Sequence, residues 1–148
     1  MSTYTQIYYH LVFSTKNRDR VLSPERREDL FRYMAGILQN HDCHLYRIGG
    51  VDDHVHIFTS VHPTVSLADL AKNIKVASSG WIANERVFPQ FTHWQDGYAA
   101  FTASHDEKAR LIEYIHGQAE HHKRISFHEE LRNLLVEAGV EFDERYLI

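Results

Sequence analysis

An α+β domain built on a four-stranded antiparallel sheet is predicted from three observations. Ile7 to Thr15 and His54 to Val61 alternate side chains with a period of two, the signature of strands with one buried face. Ser23-Pro24 and Ser66-Leu67-Ala68-Asp69 read as helix starts, each followed by apolar residues at helical spacing. The elements fall in the order strand, helix, strand, strand, helix, strand, with two helical segments after them. The first six follow the split βαβ order of a ferredoxin-like fold, with helices packed on one sheet face.

Taken in turn, the first strand sets Ile7, Tyr9, Leu11 and Phe13 against Tyr8, His10, Val12 and Ser14. The first helix runs from Pro24 to about Asn40, with Leu30, Met34 and Leu38 on its inner face. His44 to Ile48 is a second strand ended by Gly49-Gly50. The third, from His54 to about Val61, follows closely enough for a hairpin. Pro63 stops it, and Leu67, Leu70, Ala71, Ile74 and Trp81 mark the second helix. Phe88 to Trp94 is an aromatic-rich loop expected to serve core or dimer packing. Asp96-Gly97 is a turn signal, and Tyr98 to Ala103 is the fourth strand. Ser104-His105-Asp106-Glu107 caps a third helix, expected to run through Leu111, Ile115 and Gln118. Ser126-Phe127-His128-Glu129 caps a last helix that stops at Gly139.

With 148 residues, 43% hydrophobic and 24% charged, the composition fits one globular domain spanning residues 1–148. No apolar run reaches the roughly 18 to 20 residues of a membrane span. The single Cys43 cannot form an intrachain disulfide, as expected of a cytoplasmic protein. The net charge of −4 argues at first against a nucleic-acid partner. All of that excess lies in the last twenty residues, which hold six acids and two bases. Lys16 with Arg18, and Lys72 with Lys75, form local basic clusters that permit nucleic-acid binding and serve equally well as a solvated surface.

The chemistry concentrates in "DDHVHIF", Asp52 to Phe58. On a strand, His54 and His56 point to one face while Val55 and Ile57 point to the other. With Val55 and Ile57 turned to the helices, the imidazoles are expected on the open face. A lone His-x-His is more often an ordinary polar pair than a metal site, so further groups are needed. The third helix carries "EYIHGQ", Glu113 to Gln118, in which Tyr114 and Gln118 share one helix face. His121 lies on that face too. His116, His122 and His128 are assigned to the surface. Asp52 and Asp53 serve either a turn or the hydrogen bonding of the histidines.

Beyond these motifs, several longer stretches resemble the single-tyrosine HUH transposases of small bacterial insertion sequences, the IS200-like family. "YHLVFSTKNR" (Tyr9 to Arg18) is similar to that family's first strand and its basic exit. "DDHVHIFTSVHPTVSLADLAKNIK" (Asp52 to Lys75) resembles its histidine strand and following helix. "WQDGYAAFTAS", "YIHGQAEHHKRISFHEEL" and "GVEFDERYLI" (Gly139 to Ile148) are similar to its last strand, tyrosine helix and tail. The resemblance implies that Tyr114 is the nucleophile, attacking single-stranded DNA to form a 5′-phosphotyrosine link and a free 3′-hydroxyl. It implies that His54, His56 and Gln118 hold a divalent metal, with His121 an auxiliary candidate. It also implies a homodimer acting on single-stranded DNA with hairpins, helped by bases such as Lys16, Arg18, Lys72 and Lys75.

These residue types suit that chemistry. A tyrosine hydroxyl has an ordinary pKa of about 10 and needs an activated phosphorus at neutral pH. Two imidazoles and an amide add no charge to a bound cation, and the mixed donor set suits Mg²⁺ or Mn²⁺. Competing expectations are a host-adopted tyrosine endonuclease of the same family, a non-catalytic single-stranded nucleic-acid-binding module, and a metallohydrolase in which Tyr114 plays no part. The four intact residues argue against the binding module.

Overall fold

The computed structural model describes residues 1–147; Ile148, the last residue of the tail segment, lies outside the described residues. Its sheet comprises β1 (Tyr8–Ser14), β2 (His44–Gly50), β3 (His54–Ser60) and β4 (Ala99–Thr102). The spatial order is β2-β3-β1-β4, and every neighbouring pair is antiparallel. Helices α1 (Pro24–Asn40), α2 (Leu67–Glu85), α3 (Lys108–His116), α4 (Gln118–His121) and α5 (Phe127–Glu137) complete the chain. The α+β class and the strand order match expectation, and β2 continues through Gly49 and Gly50 rather than ending at Ile48.

The helix starts follow their capping signals. The Ser66 and Ser126 hydroxyls accept hydrogen bonds from the amides of Asp69 and Glu129, and Glu107 accepts one from the Ser104 amide. These bonds satisfy donors that a first helical turn leaves unpaired. Period-two alternation then divides the sheet into two faces. Leu11 and Phe13 of β1, with Val55 and Ile57 of β3, are buried against Leu30 and Met34 of α1 and Leu70 and Ile74 of α2. Phe88 and Trp94 of the aromatic loop belong to the same core, as expected, and the Trp94 indole N–H donates to Ser78 Oγ at 3.0 Å.

The opposite face departs from the expectation of a bare surface. Tyr8 and Phe58 pack there against Ile115 of α3, and Leu111 and Ile112 add to the contact. Helices α4 and α5 close over the rest of that face, so His54 and His56 have no solvent exposure at all. The single long tyrosine helix is also corrected. Gly117 ends α3 with φ −85° and ψ 11°, and α4 resumes at Gln118 as a separate short helix. Glycine carries the greatest conformational cost of the helix-tolerated residues, which makes it the natural place for this break. No helix among the described residues is long and apolar enough to cross a membrane.

Candidate active site

Three backbone decisions build the site. The pleat of β3 puts His54 and His56 on one face, and antiparallel pairing with β1 sets His10 diagonally across from His56. Helix α3, docked on the same face, brings Tyr114 over them, and α4 brings Gln118. Helix α5 inserts Glu130, whose side chain is only 1% exposed.

Everything meets at that carboxylate. Glu130 Oε1 lies 3.1 Å from His56 Nε2, 3.2 Å from His54 Nε2 and 2.9 Å from His122 Nε2. Glu130 Oε2 accepts hydrogen bonds from the Tyr114 hydroxyl and, at 2.9 Å, from the Gln118 amide. His54 Nε2 also faces Gln118 Oε1 at 3.0 Å. A second layer orients the rings: His54 Nδ1 is 2.7 Å from Asp53 Oδ1, and His56 Nδ1 is 2.8 Å from His10 Nε2. His54, His122 and Glu130 can each offer a ligand atom within 4.8 Å of the others, a spacing that suits a metal ion.

Burial and charge set the protonation of these groups. Burial would raise the Glu130 carboxyl, but hydrogen bonds with His122, His54 and His56 overcome it and hold the group far below the usual carboxylate range. Burial lowers His54, yet Asp53 and Glu130 outweigh it and lift the imidazole to about 9. For His56 burial wins over Glu130 and lowers the pKa. Burial and the neighbouring His56 take His10 down to about 3. Burial, then the negative charge of Glu130, pushes the Tyr114 hydroxyl well above its ordinary value.

Of the residues singled out in the sequence, the fold brings together Tyr114, His54, His56 and Gln118. His121 stands at the rim, its ring 5.6 Å from that of Tyr114. Lys16 and Arg18 lie just beyond the end of β1 that pairs with His54. Lys72 and Lys75 sit on α2, behind the other sheet face. Lys72 is exposed, whereas Lys75 Nζ donates to the carbonyls of Gln95 and Gly97 at 2.7 and 2.8 Å. His122 is not the surface residue expected: its Nδ1 bonds to the Ile125 carbonyl at 2.9 Å, which turns the ring inward. Glu130 was legible only as one acid of the tail. Its signal is positional, since it lies in the apolar stripe of α5 with Phe127, Leu131 and Leu134.

A four-stranded antiparallel sheet with a His-x-His pair, faced by a tyrosine on a packed helix, has the layout of a tyrosine transposase. The family model described as "Transposase IS200 like" matches residues 3–118, and the chain belongs to that family of DNA-processing enzymes. It is similar to the ISDra2 transposase TnpA of Deinococcus radiodurans, with 28% identity over 123 residues covering 76% of this chain and 84% of the relative. A crystal structure of a candidate transposase from Deinococcus radiodurans R1 shares the fold at TM-score 0.63 and 24% identity, over 80% of this chain and 95% of that one. The REP-associated tyrosine transposase bound to a REP hairpin shares it at TM-score 0.61 and 12% identity, over 84% of this chain and 76% of that one.

Proposed function

We propose that the chain is a metal-dependent transposase for single-stranded DNA, cutting and rejoining strands through a covalent bond to Tyr114. The observation that carries this reading is the convergence of the Tyr114 hydroxyl, two strand-borne imidazoles and the Gln118 amide around one buried point of the same chain. A structural tyrosine needs no such company.

In this reading the Tyr114 oxygen attacks the phosphorus of a phosphodiester. The bond from phosphorus to the 3′ oxygen breaks, leaving a 5′-phosphotyrosine, while the phenolic proton passes by way of Glu130, which already accepts it in a hydrogen bond, to the departing oxygen and makes it a 3′-hydroxyl. A 3′-hydroxyl attacking the phosphotyrosine reverses the step, so rejoining needs no external energy source. His54, His56 and Gln118 would hold a divalent ion, Mg²⁺ or Mn²⁺, and their donor chemistry fits one. Such an ion supplies Lewis-acid polarisation of a phosphate oxygen. Asp53 and His10 fix the orientation of the two imidazoles. At rest the Tyr114 hydroxyl keeps its proton and donates it in a hydrogen bond to the Glu130 carboxylate, which restrains the nucleophile until substrate arrives. His121, at the rim beside Tyr114, is the auxiliary candidate for exchanging that proton or for adding a ligand. A cavity of about 240 Å³ beside His122 is edged by the bases Arg20, Arg27 and Lys123 and by the carboxylates of Asp52 and Asp53, which leaves a small positive excess for a neighbouring phosphate.

The relatives act as transposases, and the REP-associated neighbour holds hairpin DNA. We extend from that neighbour to this chain a hairpin-bearing DNA substrate; the single-stranded form of that DNA and a homodimeric enzyme are what the family resemblance implies. The test is incubation with labelled single-stranded hairpin DNA and Mn²⁺, followed by denaturing electrophoresis. The reading expects a protein–DNA adduct that is absent in Tyr114→Phe. Cleavage without an adduct would favour water as the nucleophile, and binding alone would leave only a nucleic-acid-binding module.

A further inference from the structure

The centre of the site gathers ligand atoms beyond the three residues named so far. His54 Nδ1 faces the Asp53 carboxylate at 2.7 Å, so Nε2 is the nitrogen that this ring turns toward the centre of the site. His122 Nδ1 faces the Ile125 carbonyl at 2.9 Å, which likewise turns Nε2 toward the centre. The Gln118 amide nitrogen donates to Glu130 Oε2 at 2.9 Å, which fixes its oxygen on the side of His54. Glu130 Oε1 completes the group, 3.2 Å from His54 Nε2 and 2.9 Å from His122 Nε2. Four potential ligand atoms from β3, α4, α5 and the turn between these helices therefore face one another. The ligand atoms of His54, His122 and Glu130 all lie within 4.8 Å of one another, so a single cation can be held by all three.

We propose that Glu130 and His122 are themselves ligands of the divalent cation, completing the site begun by His54, His56 and Gln118. The inference rests on the metal-dependent reading above and changes its chemistry. A carboxylate joins donors that were all neutral, so the protein lowers the charge of the bound cation by one. Imidazoles mixed with carboxylate and amide oxygen select Mn²⁺ and similar borderline ions over Mg²⁺, which favours an all-oxygen shell. The ligands also tie the ion to the last part of the chain. The family match ends at residue 118, so the segment that supplies His122 and Glu130 lies beyond it. Because Glu130 Oε2 accepts the Tyr114 hydroxyl, ion and nucleophile share one carboxylate.

Mn²⁺ binding to the full chain, followed without DNA by calorimetry and by the paramagnetic resonance of free Mn²⁺, tests this directly. Glu130→Gln keeps the shape of the side chain and should weaken Mn²⁺ binding about tenfold or more, and His122→Gln severalfold. Mg²⁺ should bind the wild-type protein more weakly than Mn²⁺. Glu130→Gln binding Mn²⁺ within about twofold of wild type, or more tightly, would overturn the proposal, the latter marking Glu130 as a plug that the ion displaces. If Glu130→Gln fails to fold by circular dichroism, wild-type protein with ¹³C-labelled glutamate carboxyls decides the matter. Sub-stoichiometric Mn²⁺ should then broaden the Glu130 carboxyl first, and an unaffected resonance refutes the assignment. His54→Ala separates the two levels. If it leaves Mn²⁺ binding intact, the metal-dependent reading fails with the proposal; if it abolishes binding and Glu130→Gln does not, only the present inference falls.

Discussion

Gly49 of β2 lies directly beneath Ile115 of α3: a Cβ built on Gly49 would stand 2.5 Å from the Ile115 carbonyl oxygen and 2.7 Å from its Cγ2. The contact sets the height of α3 above the sheet, and Tyr114 is the residue next to it. An alanine here cannot be absorbed by a flexible side chain, because the nearest atom is backbone. Gly49→Ala should therefore lift α3 and cost about 1–3 kcal/mol of stability, read as a lower urea midpoint. Displacing the Tyr114 hydroxyl by even a fraction of an ångström should also slow adduct formation with hairpin DNA, about tenfold or more. A variant with unchanged midpoint and adduct rate would show that α3 is not positioned by this contact.

Two other glycines supply the opposite expectation. Gly36 in α1 and Gly80 in α2 sit inside helices, and an added Cβ at either would meet nothing within 4 Å. Alanine at each site should raise stability by about 0.5–1 kcal/mol through helix propensity and a less disordered unfolded chain. Both residues are remote from the site, so adduct formation should not change. The double variant should show the sum of the two gains in urea unfolding.

The contrast among these glycines also marks what the sequence makes legible. The period-two pattern of β3 and the caps at Ser66 and Ser126 are local signals, and the elements they announce are present. Tyr114 and Gln118 were readable as neighbours because four residues bring side chains together across a helical turn, even one interrupted at Gly117. Glu130 and His122 were not, because their meaning depends on α5 folding back over the sheet, which no local pattern specifies. His10 failed for a related reason: its pairing with His56 arises from strand register between residues far apart in sequence. Lys72 and Lys75, alike in the sequence, separate only when the loop carbonyls of Gln95 and Gly97 are seen beside one of them.

That separation is measurable. Lys75 gives its ammonium to two backbone carbonyls, and burial lowers its pKa, so it holds the loop from Gln95 to Gly97 in place. Lys75→Ala should cost about 1 kcal/mol of stability while leaving the salt dependence of DNA binding unchanged. Lys72 is exposed and makes no such bonds. If it meets a phosphate of the single strand, Lys72→Ala should reduce the slope of log affinity against log salt by about 0.7 without moving the urea midpoint. Fluorescence anisotropy with labelled single-stranded hairpin DNA at several salt concentrations distinguishes the two lysines, and identical slopes in wild type and Lys72→Ala would remove Lys72 from the DNA contact.

The pairing of Asp53 with His54 predicts how stability responds to pH in the absence of divalent ions. Burial works against the charged imidazole, but the hydrogen bonds and charges of Asp53 and Glu130 prevail and raise its pKa from 6.5 to about 9. The folded value lies above the unfolded one, so the folded protein binds more protons between them. The stabilisation is complete below about pH 6.5 and disappears as the pH rises through about 9. A shift of this size corresponds to a contribution on the order of 3 kcal/mol. Across the same interval His10, lowered to about 3, stays neutral, and Glu130 stays ionised, so neither masks the effect. Asp53→Asn removes one source of the upward shift and should flatten the alkaline decline. Urea unfolding in a chelating buffer at about pH 6, 8 and 10 checks it. Wild type should lose more stability than Asp53→Asn from the first pH to the last, whereas parallel curves would mean that Asp53 does not hold the His54 proton. The same proton opposes a divalent cation, so Mn²⁺ should bind wild-type protein more tightly as the pH rises toward 9 and should release a proton as it does so.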